Sequence, residues 1–304
     1  MKMQLNTDNE IDKLFAKTYS KTVINEINPE KIGFLGMNLN IEHPENIKLK
    51  LYCNPDYSNE IAEKRKIDAE NEPFIKFLQD LNIRYVLEIV NENKKRNVYR
   101  YNTFLYDITK EDFEKIIDYF SKSSDRFDIN GDEIRSISLL KQESEKLPFN
   151  PPACIGFIKN KQDINVLKIY WFYEKFDRNT EYISCCNIEK LNYLNEVIKK
   201  ILNRYNDTFN RLHMLCVEYN KDKSENHKIY VNTKCNPDPY SGITDVFAGN
   251  DKFKEKINII KKWHDIHNEF RCHGFAISQN DKDEYILNIY FSYTPEVKRK
   301  FKSK

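Results

Sequence analysis

The sequence predicts a mixed α/β (α+β) chain: ten antiparallel strands, paired as five hairpins, closing into a barrel with helices outside. Three observations lead there. Hairpins begin near residues 32, 83, 153, 212 and 272, and helical segments fill every gap between them. The closing strands repeat a short pattern, Lys-x-Tyr, at Lys50–Tyr52, Lys168–Tyr170 and Lys228–Tyr230, and in altered form at Asn288–Tyr290. Around each copy the apolar residues alternate with polar ones, the period of a strand. Long helices between strand pairs exclude a sandwich, and antiparallel pairs exclude a doubly wound parallel sheet. The whole chain, 1–304, reads as one domain.

Taken in order, residues 8–28 read as a helix with Ile11, Leu14 and Phe15 on one face and Val23 and Ile27 further on. Ile32–Ile41 and Ile47–Cys53 make the first hairpin across the turn formers His43, Pro44, Glu45 and Asn46. Ser58 is placed to cap a helical stretch, 59–81, broken near Pro73. Ile83–Val90 and Arg96–Tyr106 form the second hairpin. Thr109 then caps a helix through Phe120, and another helix is expected near 132–146. The third hairpin is Ala153–Ile158 with Val166–Tyr173. Asn187 caps a helix over 188–204, with Leu194, Ile198 and Ile201 in line. Leu212–Tyr219 with Lys228–Thr233 is the fourth hairpin. Helices over 241–248 and 252–270 precede the fifth, His273–Ser278 with Tyr285–Tyr293.

Composition excludes more than it assigns. Hydrophobic residues at 40% and charged residues at 32% describe a folded soluble chain, and a net charge of +2 gives no argument for nucleic acid. With seven Gly there is neither a P-loop nor a dinucleotide fingerprint. No apolar run reaches membrane-span length, and the N-terminus has no signal-peptide core. Seven Cys without paired spacing read as thiols in a reducing compartment, so cytoplasm is expected.

Alternation sorts the strand residues into two faces. Leu49, Leu51, Ile169, Ile229, Val231, Leu287 and Ile289 pack on helices. Lys50, Tyr52, Lys168, Tyr170, Lys228, Tyr230, Asn288 and Tyr290 face a lumen, which ten strands leave wide enough for a ligand. In the second hairpin, RNVYRYNTF has no Lys-x-Tyr, so either Arg100 or the pair Tyr99 and Tyr101 faces inward; Arg100 is preferred. Glu88 shares a face with Arg84 and Val86, and Glu218 lies on the opening strand of the fourth hairpin. Ammonium groups and phenol hydroxyls bind phosphate oxygens, and aromatic faces stabilise a carbocation. A closed barrel keeps water from a reactive intermediate. Together these suit a prenyl diphosphate.

The five helix–strand–strand–helix units and the Lys-x-Tyr strands resemble the PT-barrel (ABBA) aromatic prenyltransferases over roughly residues 8–293. The resemblance implies transfer of a prenyl group, with dimethylallyl the expected one, from its diphosphate to an aromatic acceptor: an indole, a phenol, or a peptide Tyr or Trp. It implies that Lys50, Arg100, Lys168 and Lys228 bind the diphosphate, and that Tyr52, Tyr170, Tyr230 and Tyr290 bind it and shield the cation. Glu88 would be the catalytic acid/base, with Glu218 as its rival. Mg²⁺ assists some members and not others, so it stays open here; no metal-ligating residues are assigned, and the aspartate-rich motif of isoprenyl synthases is absent. The chain stopping shortly after Tyr293 is closer to the cyanobactin-type peptide prenyltransferases.

Plainer readings stand beside these. A Lys-x-Tyr strand is commonly a solvated sheet face, and Glu88 would then pair with Arg84 or Arg100. His264, His267, Cys272 and His273 match no standard zinc spacing and fit a helix end. Cys185–Cys186 reads as a buried helix start, and Lys298–Lys304 as a solvated end. The rival functions are a non-catalytic barrel binding an anionic or peptide ligand, and an open-sheet interaction protein.

Overall fold

The computed structural model describes residues 5–6, 8–19, 31–64, 73–93, 96–104, 109–122, 154–160, 163–172, 188–204, 211–220, 225–233, 238–280 and 282–293. The expected helical residues 20–28, the helix near 132–146, Asn187, Cys185–Cys186, Tyr173 and the tail 298–304 lie outside them.

The strands are β1 (Ile32–Asn40), β2 (Lys48–Cys53), β3 (Tyr85–Asn93), β4 (Arg96–Phe104), β5 (Cys154–Asn160), β6 (Asp163–Phe172), β7 (Arg211–Asn220), β8 (Glu225–Asn232), β9 (Phe270–Gln279) and β10 (Tyr285–Tyr293). Each pairs antiparallel with the next in sequence, and β1 pairs with β10, so the sheet curls round and closes. The helices are α1 (Glu10–Thr18), α2 (Pro55–Lys64), α3 (Pro73–Asp80), α4 (Lys110–Lys122), α5 (Ile188–Leu202), α6 (Ser241–Val246) and α7 (Asp251–Ile266).

The core lies between the outer face of the sheet and the helices. Leu35, Met37, Leu49, Leu51, Ile169, Ile229, Leu287 and Ile289 are buried. They belong to one cluster with Ile11 and Phe15 of α1, Leu194 and Ile198 of α5, and Phe253, Ile257 and Trp263 of α7. Removing this apolar area from water is what holds sheet and helices together.

Local chemistry sets the helix ends. Asn9 Oδ1 accepts the Ile11 and Asp12 amides, and Asn250 Oδ1 accepts that of Phe253. Thr109 caps α4 as expected, taking the Asp112 amide and donating its hydroxyl to the Asp112 carboxylate. Ser58 does not cap: Pro55 already occupies the first helical position, and Asn54 Oδ1 accepts the Asp56 amide. Ser58 lies inside α2, where its hydroxyl donates to the Asn54 carbonyl and accepts the Leu87 amide of β3. It thereby stitches β2's following helix to β3, where the ladder itself is two residue pairs long.

Other boundaries shift. α1 stops at Thr18 because Tyr19 turns extended and donates its hydroxyl to the Ile89 carbonyl. β3 continues through Asn91–Asn93, after a bulge between Ile89 and Asn91, where a turn was expected. α7 ends at Ile266, and β9 already begins at Phe270. A bulge also separates Tyr290 from Phe291 and leaves His273 out of register. A Cβ at Gly274 would lie 2.2 Å from the Val231 carbonyl oxygen, so only glycine permits this approach of β8 and β9.

The histidines near the α7 end are structural. His267 donates to the Asp12 carboxylate at 3.1 Å, Trp263 donates to the same carboxylate at 2.9 Å, and the Asn6 amide at 2.8 Å. Asp12 is buried, so one carboxylate ties α1 to α7. His264 donates to the Phe270 carbonyl and takes the Tyr240 hydroxyl at 2.8 Å.

Asp12→Ala strands two buried donors and is expected to destabilise the fold by roughly 3–5 kcal/mol in denaturant unfolding. Burial pulls the His267 pKa down, but the Asp12 hydrogen bond and charge, with Glu269, more than reverse that and raise it. Its contribution is therefore complete below the unfolded value of about 6.5 and fades as pH rises through the folded value. The stability penalty of His267→Asn, measured by unfolding, should be larger near about pH 6 than near about pH 9; equal penalties would contradict the pair.

Candidate active site

Register brings the sequence-predicted residues to one face. Lys50 stands opposite Gly36, which stands opposite Tyr290. Lys168 faces Gly156 and Glu218, Tyr170 faces Cys154 and Cys216, and Tyr230 faces Met214 and Ala276. Several of these large side chains thus meet Gly, Ala or Cys on a neighbouring strand. At Gly36 an added Cβ would come to 3.2 Å from the Tyr52 ring and 3.6 Å from that of Tyr290, so the missing side chain is the space those rings occupy.

Four tyrosines form an arc. Ring centroids are 6.1 Å apart for Tyr52–Tyr290, 5.6 Å for Tyr290–Tyr230 and 5.9 Å for Tyr230–Tyr170. Burial raises the pKa of Tyr170 and Tyr230 well above the phenol value, and that of Tyr290 as well. The three hydroxyls stay protonated and able to donate. All four side chains keep some exposed surface although they line the barrel, so they border open space.

Two residues before each tyrosine comes the polar layer: Lys50 (7% exposed), Lys168 (6%), Lys228 (7%) and Asn288 (1%). This burial removes the open-sheet reading, in which these side chains would be solvated. Lys50 donates to Asn288 Oδ1 at 3.4 Å, and Asn38 donates to the same oxygen at 2.9 Å. Asn288 Nδ2 is a buried donor with no acceptor among the described residues. Lys168 and Lys228 both donate to Glu218 Oε1, at 2.5 and 2.8 Å. Burial would raise the Glu218 pKa, but the two ammonium charges overcome it and hold the carboxyl well below its usual range. Burial likewise pulls Lys228 down, and Glu218 more than reverses this.

Glu88 is 3% exposed and stands opposite Tyr52 on one side and Arg100 on the other. The Arg100 side chain lies outside the described residues. Arg84 is no partner for Glu88: it lies outside at the surface, bonded to Asp56 at 3.0 Å. Glu218, read from sequence as a rival acid/base, is an ion-pair partner of two lysines. Sequence reasoning left this bridge out, though Lys168 and Glu218 lie on adjacent strands and register alone would pair them. It also passed over Gly36, Gly156 and Ala276, small residues at alternate positions that mark where the bulky ones fit.

Among the described residues no group of three His, Cys, Asp or Glu stands together to hold a metal. The described lumen carboxylates are Glu88 and Glu218, and two lysines engage Glu218. Among the described residues no helix is long and apolar enough to cross a membrane.

No protein-family model matches the chain, and no curated protein does. Solved structures do. The NotF prenyltransferase is similar with a TM-score of 0.58 at 10% identity, over 87% of this chain and 81% of that one. A 6-dimethylallyltryptophan synthase from Micromonospora olivasterospora, in complex with DMASPP and Trp, is similar with a TM-score of 0.57 at 11% identity, over 94% and 92%. PriB in a binary complex with product diphosphate gives 0.55 at 8% identity, over 94% and 91%. The fold expected from the Lys-x-Tyr strands is thus the fold these prenyltransferases have.

Burial, with Glu218 adding to it and the two lysines opposing, pushes the Cys216 thiol up to about 12. In native protein at about pH 8, iodoacetamide should leave Cys216 unmodified and label it only after unfolding, read by peptide mass spectrometry. Rapid labelling of native protein would mean that the lumen is neither as closed nor as dry as described.

Proposed function

We propose that this protein is an aromatic prenyltransferase, moving a dimethylallyl group from its diphosphate to an aromatic acceptor inside the barrel. The observation that carries the reading is the stacking of two layers in one lumen, buried ammonium groups directly beneath an arc of protonated tyrosines. Support comes from the similar structures, among them one of PriB with L-tryptophan and dimethylallyl thiolodiphosphate. We take the chain as one PT-barrel domain of five helix–strand–strand–helix units.

In this reading Lys50, Lys168, Lys228 and Arg100 bind the diphosphate, with phenol O–H groups of the arc donating to its oxygens. The bond between the donor's first carbon and the bridging oxygen breaks, and both electrons leave with the diphosphate. The allylic cation lies against the faces of Tyr52, Tyr170, Tyr230 and Tyr290, whose quadrupoles stabilise it and whose rings exclude water. The acceptor ring attacks and forms the new carbon–carbon bond. Its surplus proton passes to Glu88, the carboxylate at the level of the tyrosine arc beside Tyr52. Every step in this reading uses side chains of this chain.

Purified protein incubated with dimethylallyl, geranyl and farnesyl diphosphates, each against Trp, simple phenols and Tyr- or Trp-containing peptides, should give a product heavier by one prenyl unit. Dimethylallyl diphosphate should be the best donor. Diphosphate-dependent thermal stabilisation without turnover on any acceptor would favour the non-catalytic, anion-binding barrel. Glu88→Gln should lower turnover by about 10²–10⁴-fold while leaving donor affinity within a few-fold of wild type. Loss of donor binding to the same degree would remove Glu88 from the acid/base role.

A further inference from the structure

Two of the three described lumen lysines already hold an anion. The Nζ atoms of Lys168 on β6 and Lys228 on β8 both donate to the same oxygen of Glu218, on the strand between them. One oxygen bridging two ammonium groups is the arrangement that a phosphoryl oxygen would adopt in the same place. Without an anion between them, the two ammonium groups would face each other unscreened in a poorly solvated barrel.

We propose that Glu218 is an internal counter-anion that stands in for a phosphoryl group. It holds the two ammonium groups of Lys168 and Lys228 in place before diphosphate binds, and limits how tightly the barrel holds diphosphate. This rests on the reading of the lumen as a diphosphate site. Each ammonium has three N–H donors, so the lysines can bind diphosphate oxygens while Glu218 stays between them. The carboxylate then repels the bound anion. That repulsion weakens binding of the donor's diphosphate and, equally, lets the leaving group exchange after transfer. Glu218 is on this account a positioning residue, and the lysines are the groups that touch the ligand.

The test is calorimetric titration and thermal unfolding of wild type and Glu218→Gln with inorganic diphosphate. Glutamine keeps the shape and one acceptor oxygen but removes the charge. The variant should bind diphosphate about tenfold more tightly. It should unfold at a lower temperature without ligand, and diphosphate should raise that temperature by more than it does for wild type. Damage to a purely structural pair would weaken binding, so tightening is a readout such damage does not produce. If the variant is too unstable to titrate, the larger thermal gain decides alone. Unchanged or weaker affinity, or an equal or smaller thermal gain, with wild type binding normally, overturns the role of Glu218 and leaves the diphosphate reading standing. Absence of binding by both proteins overturns the two together.

Discussion

Keeping several ammonium groups out of bulk water is the constraint on which the rest of this barrel depends. Removing each such ion from water costs several kcal/mol, and the cost is tolerable only where partners replace the lost hydration. Here the partners are inside the lumen: Glu218 bridges Lys168 and Lys228, and Asn288, itself bonded to Asn38, accepts from Lys50. Those partners sit on strands adjacent to or near the lysines, so strand register has to be fixed. The outer face fixes it. A slip of one residue would turn Leu49, Leu51, Ile229 and Ile289 inward and carry the lysines under the helices. Hydrophobic packing outside and ion pairing inside therefore specify the same register.

Much of this was legible in the sequence because the barrel alternates two chemistries at period two. Lys50, Tyr52, Lys168, Tyr170, Lys228, Tyr230 and Tyr290 were sorted to one face by that pattern, and the structure brings them together. Strand ends were less legible. β3 runs on past Ile89 through a bulge, and Asn91 and Glu92 carry no signal separating a bulged strand from a turn. Ser58 misled because a serine before a helical pattern is a capping signal, whereas Pro55 had already begun the helix and the hydroxyl serves a neighbouring strand. The Lys168–Glu218 half of the bridge joins residues 50 positions apart on different hairpins, so it follows from pairing between hairpins and not from any local motif.

The two layers of the lumen divide the work in the proposed reaction. Ammonium groups below favour the departure of an anion, and aromatic faces above favour the cation left behind. Burial raises the pKa of tyrosines of the arc, so that they remain neutral hydrogen-bond donors beside developing charge. The small residues opposite them, Gly36 and Ala276 among others, set aside the volume that the rings then fill. Glu88 lies at the level of the rings, opposite Tyr52, rather than of the lysines.

The most direct test of this account is a crystal structure with the unreactive donor analogue dimethylallyl thiolodiphosphate. The account predicts diphosphate oxygens within hydrogen-bond distance of Lys50, Lys168 and Lys228, and the prenyl carbons against the rings of Tyr52, Tyr170, Tyr230 and Tyr290. An analogue bound outside the barrel, or a lumen that stays empty at saturating analogue, would contradict it.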